Sequence, residues 1–381
     1  MTPSRRATLA MLLIGLAIFS GLYSTQAILP VLVEETDMSS GAAALTVSAA
    51  TGGLALFVIP ASILSERFGR GRVLLASAIG AALIGVLVPF ATTGWAVIVL
   101  RGLQGAVMSG APATAMAWLA EELEPRALPR AMGIYIAGNS IGGLIGRLVP
   151  TFATEVFTWR GALWTGAAVT LVFALVAAFL LPPQQRFTPK EIHLRSELSA
   201  LFQHWRDGHL AALYAVAFLA MGTFVSLYNF IGFRLIEHFG IPPVIAGFVF
   251  LLYLSGTWSS ARAGGFINRF GRRATLTGSS ALMVVGSLLA AGPLPVLFVG
   301  LLLFTAGFFA AHSTASGWVG ARATQDRAEA SSMYVFCYYL GSSIIGAATG
   351  WAFSVIPWVA YAVVLAVLSL LPTLIAANLS D

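Results

Sequence analysis

Charge is what this sequence has least of. Only 9% of its 381 residues are charged, where a soluble domain carries roughly 25%. So few cannot cover the surface of a water-soluble protein of this size, which excludes soluble enzymes and binding modules. Cysteine is nearly absent too. Cys337 stands alone inside an apolar segment, so no internal disulfide forms, and no Cys/His spacing suggests a metal site. No G-x-x-x-x-G-K loop is present, which argues against an ATP-driven pump, and no long polar domain supports a membrane enzyme or a sensor. Alternating ten-residue segments, the mark of a membrane β-barrel, are missing as well. No cofactor is expected.

Long apolar runs fill the chain instead, at 58% hydrophobic residues. A membrane-spanning helix needs about 20 such residues. Spans are expected at 8–33, 41–63, 73–92, 95–119, 129–153, 160–181, 209–236, 243–265, 273–292, 295–318, 328–353 and 357–378. Backbone groups in lipid must satisfy one another, so continuous runs of this length are helices. The first follows Arg5 and Arg6 like a signal peptide. It is too long and lacks a small-residue cleavage pattern, so it reads as a retained span. The polar stretch 182–208 divides the chain into bundles at 1–181 and 209–381, and its second part suits a short amphipathic helix on the membrane. With the N-terminus cytoplasmic, the inner loops hold 17 of the 21 Lys and Arg, as the positive-inside rule requires. Both termini are then cytoplasmic. The net charge of +6 follows from those loops and calls for no nucleic acid.

The two halves echo each other. After the second span comes Ser62-Ile-Leu-Ser-Glu66-Arg67-Phe-Gly69-Arg70-Gly71-Arg72, and after the eighth Gly264-Gly-Phe-Ile-Asn268-Arg269-Phe-Gly271-Arg272-Arg273. Arg67 and Arg269 are 202 residues apart, and Gly138-Asn139-Ser140 matches Gly341-Ser342-Ser343 at 203. Internal repeats of six spans are a transporter architecture. The basic loops resemble the major facilitator superfamily signature G-x-L-a-D-R-x-G-R-[KR], with Glu66 and Asn268 standing for its Asp. Leu100-Arg101-Gly-Leu-Gln104-Gly105 resembles the R-x-x-Q-G motif of the superfamily's drug:proton antiporters. Gly138-Asn-Ser-Ile-Gly142-Gly143-Leu-Ile-Gly146-Arg147 resembles their glycine-rich motif without its proline. Over most of its length the chain is similar to the arabinose-efflux-type branch. The resemblance implies an all-α fold of about twelve membrane helices in two six-helix bundles related by a pseudo-two-fold axis. It further implies a monomer of the bacterial inner membrane, and proton-coupled export of a small organic or amphipathic compound by alternating access. Glu66, Arg67, Gly69 and Arg70, with Asn268, Arg269, Gly271 and Arg272, would be the conformational latch. Carboxylates and arginines there can pair in one state and part in another.

No acidic residue falls at mid-membrane. The buried charges are instead the cations Arg101 and Arg147, at similar depth in the outer half of spans four and five. An arginine at the centre of a span costs on the order of 3 kcal/mol, so Gln104, Asn139 and Tyr23 are expected to share its load. Three readings stay open. The pair faces a cavity and binds an anionic metabolite, which would make the protein an importer or facilitator. Or it acts electrostatically on a nearby acid such as Glu155 or Glu34. Or the pair braces helices through backbone carbonyls. Gln26 and Tyr135 lie in the same half and belong to the substrate or coupling set. In the other half, His312 is the one histidine well inside a span, suited to a proton relay or to simple packing. Tyr228 and Tyr338 offer rings with polar tips, which suit amphipathic cargo, and Asn229 stands beside Tyr228 in the same span.

Overall fold

The computed structural model describes residues 2–189, 203–323 and 327–380. Every regular element among them is helical, because only a helix pairs its own N–H and C=O groups where water is absent. The chain divides into two compact units. The first holds Met1–Met38 and Ala49–His193, and the second Ser39–Ser48 and Leu194–Asp381. The helices up to the linker are α1 Pro3–Leu22, α2 Leu29–Glu35, α3 Ser40–Phe68, α4 Arg70–Leu87, α5 Gly94–Met108, α6 Gly110–Glu122, α7 Leu128–Ala153 and α8 Trp159–Leu180. After it come α9 Gly208–Phe233, α10 Pro243–Gly247, α11 Tyr253–Leu289, α12 Leu294–Arg322, α13 Arg327–Val355 and α14 Trp358–Ala377.

Among the described residues, nine helical segments are long and apolar enough to cross a membrane. One of these, Pro243–Leu289, turns at Gly271 and contains two crossings. Helices α7 and α13 are diluted by glycine, serine and tyrosine and fall outside the nine. Counting them, the path makes about twelve crossings, as the sequence implies. Large apolar side chains such as Phe179 (82% exposed) and Trp351 (72%) lie bare. Apolar surface on that scale suits lipid rather than water.

Three details depart from uninterrupted spans. The first span breaks after Leu22 and resumes at Leu29 through a 3-10 turn, Gln26–Ile28. Pro30 has no N–H to offer the Gln26 carbonyl, and its ring crowds that oxygen. The fourth span breaks between Met108 and Gly110, where Pro112 does the same to Met108. Between spans eight and nine, helix persists on both sides of Gly271 rather than opening into a loop. The amphipathic helix expected after 182 lies mostly outside the described residues.

Glycine sets how closely the helices approach. In the first unit, Gly138, Gly142 and Gly146 of α7 face the backbone of Leu12, Leu16 and Ser20 of α1. A Cβ on Gly138 would meet the Leu12 carbonyl at 2.6 Å, and one on Gly142 the Leu16 carbonyl at 2.7 Å. The three contacts step by four residues on both helices, so the two run parallel in one register. The second unit repeats the device where Gly341 of α13 meets the Phe218 carbonyl of α9.

Candidate functional site

The break in the first span creates a local problem that Arg101 answers. The last carbonyls of α1 have no partner in their own helix, and apolar surroundings make that costly. Arg101 of α5 donates to the Gly21 carbonyl at 2.7 Å and to the Leu22 carbonyl. It also reaches Gln104 Oε1 at 2.5 Å and Ser24 Oγ at 3.4 Å. Gln104 in turn donates to the Ala81 carbonyl at 3.0 Å. Arg147 of α7 donates to Gln26 Oε1 at 2.8 Å and to the Gly143 carbonyl at 2.6 Å, and its guanidinium lies 4.0 Å from the Tyr23 ring centroid. The two guanidiniums thus both engage residues 21–26, Arg101 at Gly21, Leu22 and Ser24 and Arg147 at Tyr23 and Gln26. A cation at a helix C-terminus also meets the negative end of its dipole. Both arginines are at most 2% exposed.

Beside Arg101 is a cavity of about 10 Å³, lined by Ser24, Gln104 and Thr170 among others. That volume holds about one water. Of the other residues expected here, Tyr23, Gln26 and Tyr135 are buried, and the Asn139 Oδ1 atom is buried without a hydrogen bond. Arginine and carbonyl meet here without a carboxylate, so the sequence offered no acidic partner by which to recognise the pairing.

The second unit holds aromatic chemistry. Tyr228 is buried, with its hydroxyl 2.6 Å from Thr305 Oγ1, and Asn229 is buried beside it in α9. His312 of α12 and Tyr338 of α13 are half-buried, with ring centroids 4.7 Å apart. Tyr228 and His312 are joined through Phe224 and Phe308, two phenylalanines that carry no polar group to single them out.

The two basic loops differ. Gly69 and Gly271 both take positive φ, 98° and 82°, a conformation that any side chain would strain. In the first loop Arg70 pairs with Glu66 at 3.4 Å and with Glu121 of α6 at 2.6 Å. Gln184, just past α8, joins this cluster. It donates to Glu121 at 3.1 Å and accepts the Gly71 N–H at 3.1 Å. Glu122 accepts the N–H groups of Gln185 and Arg186 at 3.0 and 2.8 Å. Nothing in the composition of the linker marked Gln184. In the second loop Asn268 supplies no charge, and Arg269 and Arg272 are exposed and form no ion pair among the described residues. Arg67 and Arg269 lie instead over the neighbouring Phe68 and Phe270 rings. Outside the membrane, Asp207 caps α9. Burial alone would raise its carboxyl. The His209 N–H, Arg322 and the Leu210 N–H donate to it, and with the Arg322 charge they hold it below its ordinary value.

About twelve apolar crossings, with charges satisfied inside helix bundles, define a multi-pass membrane protein of the transporter class. The chain belongs to the Major Facilitator Superfamily, whose family model matches residues 11–262. The inner membrane transport protein YnfM of Escherichia coli (strain K12) is 38% identical over 347 residues, 91% of this chain and 83% of that protein. The uncharacterized MFS-type transporter YybF of Bacillus subtilis (strain 168) is 34% identical over 356 residues, 93% of this chain and 88% of its own. Among solved structures, a bacterial homologue of the human lysosomal transporter Spinster, inward-facing and unoccupied, superposes with a TM-score of 0.80. The superposition covers 99% of this chain and 97% of that one at 17% identity, a likeness of fold alone. With its family and both of these relatives named for transport, the protein is a membrane transporter and not an enzyme.

Proposed function

We propose that the protein is a monomeric secondary transporter of the bacterial inner membrane, with both termini cytoplasmic, that exports a small organic or amphipathic compound in exchange for protons. It works by alternating access. The charged loops at Glu66–Arg70 and Asn268–Arg272 make and release contacts as it turns over. The observation that carries this reading is the contrast between the units. The cations of the first are engaged by backbone carbonyls, while the second presents half-exposed rings at His312 and Tyr338 that suit an apolar body with a polar tip. The likeness of Arg101-Gly-Leu-Gln104-Gly105 to the drug:proton antiporter motif supports the proton and the direction. Import of an anionic metabolite on Arg101 and Arg147 is the weaker reading, since a cavity of about 10 Å³ beside Arg101 holds no such solute.

Proteoliposomes test it. With a pH difference imposed, the protein should drive its substrate against a gradient. Movement indifferent to the pH difference removes proton exchange from the reading.

A further inference from the structure

The rings of the second unit form a continuous series from its interior to a half-exposed edge. Phe250 touches Tyr228 (5.5 Å between centroids), Tyr228 touches Phe224 (5.0 Å), and Phe224 stacks on Phe308 at 3.9 Å and 13°. Phe308 lies parallel to His312 within 11°, and His312 meets Tyr338 at 4.7 Å. The inner rings Phe224, Tyr228 and Phe308 are at most 3% exposed. Apolar burial accounts for them, but not for a histidine at the partly open end.

The contacts of that histidine define its chemistry. Its Nδ1 lies 3.0 Å from the Tyr334 hydroxyl, and the same hydroxyl donates to the His312 carbonyl at 3.3 Å. A tyrosine hydroxyl has one proton. Both bonds are satisfied together only when Nδ1 carries the ring proton and donates it to Tyr334. In the neutral ring Nε2 is then a bare acceptor. Nε2 takes no partner among the described residues, and the residue is only partly covered. From Phe239 to Gln325 the chain has no acidic residue, and in α13 the one carboxylate, Glu329, stands nine residues before Tyr338, about 13 Å along the helix, too far to hold a cation at that ring. The lone pair on Nε2 turns away the oxygens of an anion. What the edge can recognise is a flat ring, through Tyr338, with one O–H donor for Nε2.

We propose that His312 and Tyr338, backed by the buried Phe308, form a recognition face for a neutral aromatic compound bearing a hydroxyl, a phenol in its simplest form. This deepens the transport reading above and rests on it for the purpose of the face, though not for what the face binds.

Para-cresol and its methyl ether share ring and shape and differ in the donor. Titrated against the purified full-length protein in lipid nanodiscs, cresol should bind roughly tenfold more tightly than the ether, the ratio that about 1.4 kcal/mol gives. The H312F variant keeps a ring and loses the acceptor, so its two affinities should agree within about twofold. Y334F frees the histidine to place its proton on Nε2, and it should shrink the preference as well. Equal affinities in the wild type, or a preference that survives in H312F, would overturn the proposal. The two readings fail separately. Cresol preference without pH-driven movement of phenols in proteoliposomes keeps the face and rejects the transport reading. pH-driven movement of another solute, without cresol preference, rejects the face and keeps transport.

Discussion

Replacing Arg101 with methionine tests whether the buried cation is a structural clasp or part of the substrate path. Methionine fills much of the same volume and donates nothing. Three strong acceptors then lose a charged donor: the Gly21 and Leu22 carbonyls and Gln104 Oε1. Hydrogen bonds to a charged group contribute about 1.5–3 kcal/mol each. Removing the arginine also removes the cost of holding it in the membrane, on the order of 3 kcal/mol. The net loss is therefore about 2–6 kcal/mol of folding stability, present with no substrate at all. Unfolding by SDS titration in mixed micelles reads it directly, as a lower midpoint at unchanged slope. An R101M protein as stable as the wild type, within about 0.5 kcal/mol, refutes the clasp. If such a stable variant had also lost transport, Arg101 would belong to binding or coupling.

Three further outcomes follow from other parts of the molecule. G142A should destabilise by about 1–3 kcal/mol, since its Cβ meets the Leu16 carbonyl at 2.7 Å. G133A, on the same helix with nothing within 4 Å, should gain up to about 1 kcal/mol, and equal thermal shifts for the two would remove the close approach of α1 and α7. E122A deprives the Gln185 and Arg186 N–H groups of their acceptor, so amide exchange there should quicken about tenfold while exchange in α8 stays unchanged; an unchanged rate at 185–186 counts against the contact. D207A should cost about 1 kcal/mol near pH 7 through the lost cap of α9. The wild-type carboxyl titrates below its ordinary value, so its contribution is complete above that value and fades as the pH falls through the lowered one. A difference between D207A and wild type that persists unchanged into strong acid would contradict this.

The sequence made the crossings and the repeat legible because both rest on one-dimensional signals, apolar run length and a spacing near 202. It marked Gly69 and Gly271 by their matching places in the two basic loops, though not the positive φ that both take. It did not carry the partners of the buried arginines. Half of the hydrogen-bond partners described above are backbone carbonyls, which every residue has, and those of Gly21 and Leu22 are exposed by a helix break that Pro30 only hints at. The spans at 8–33 and 95–119 looked continuous because hydropathy does not register a missing N–H. His312 and Tyr338 could be singled out as polar rings in apolar runs. Their connection through Phe224 and Phe308 depends on which faces of three helices meet, and a run of uniformly apolar residues does not disclose its inward face.

The paired steps of α1 and α7 act as a toothed rack. Each glycine notch receives one backbone ridge, and the notches recur every four residues, about 6 Å along the axis. A shift of less than a whole notch drives a ridge against a wall, so sliding by small increments is blocked. The stretch from Leu12 to Ser20 therefore travels with α7 as a single beam. Any bending of the first span has to be taken up beyond the rack, at residues 23–28, where the helix is already broken and the two arginines hold its ends.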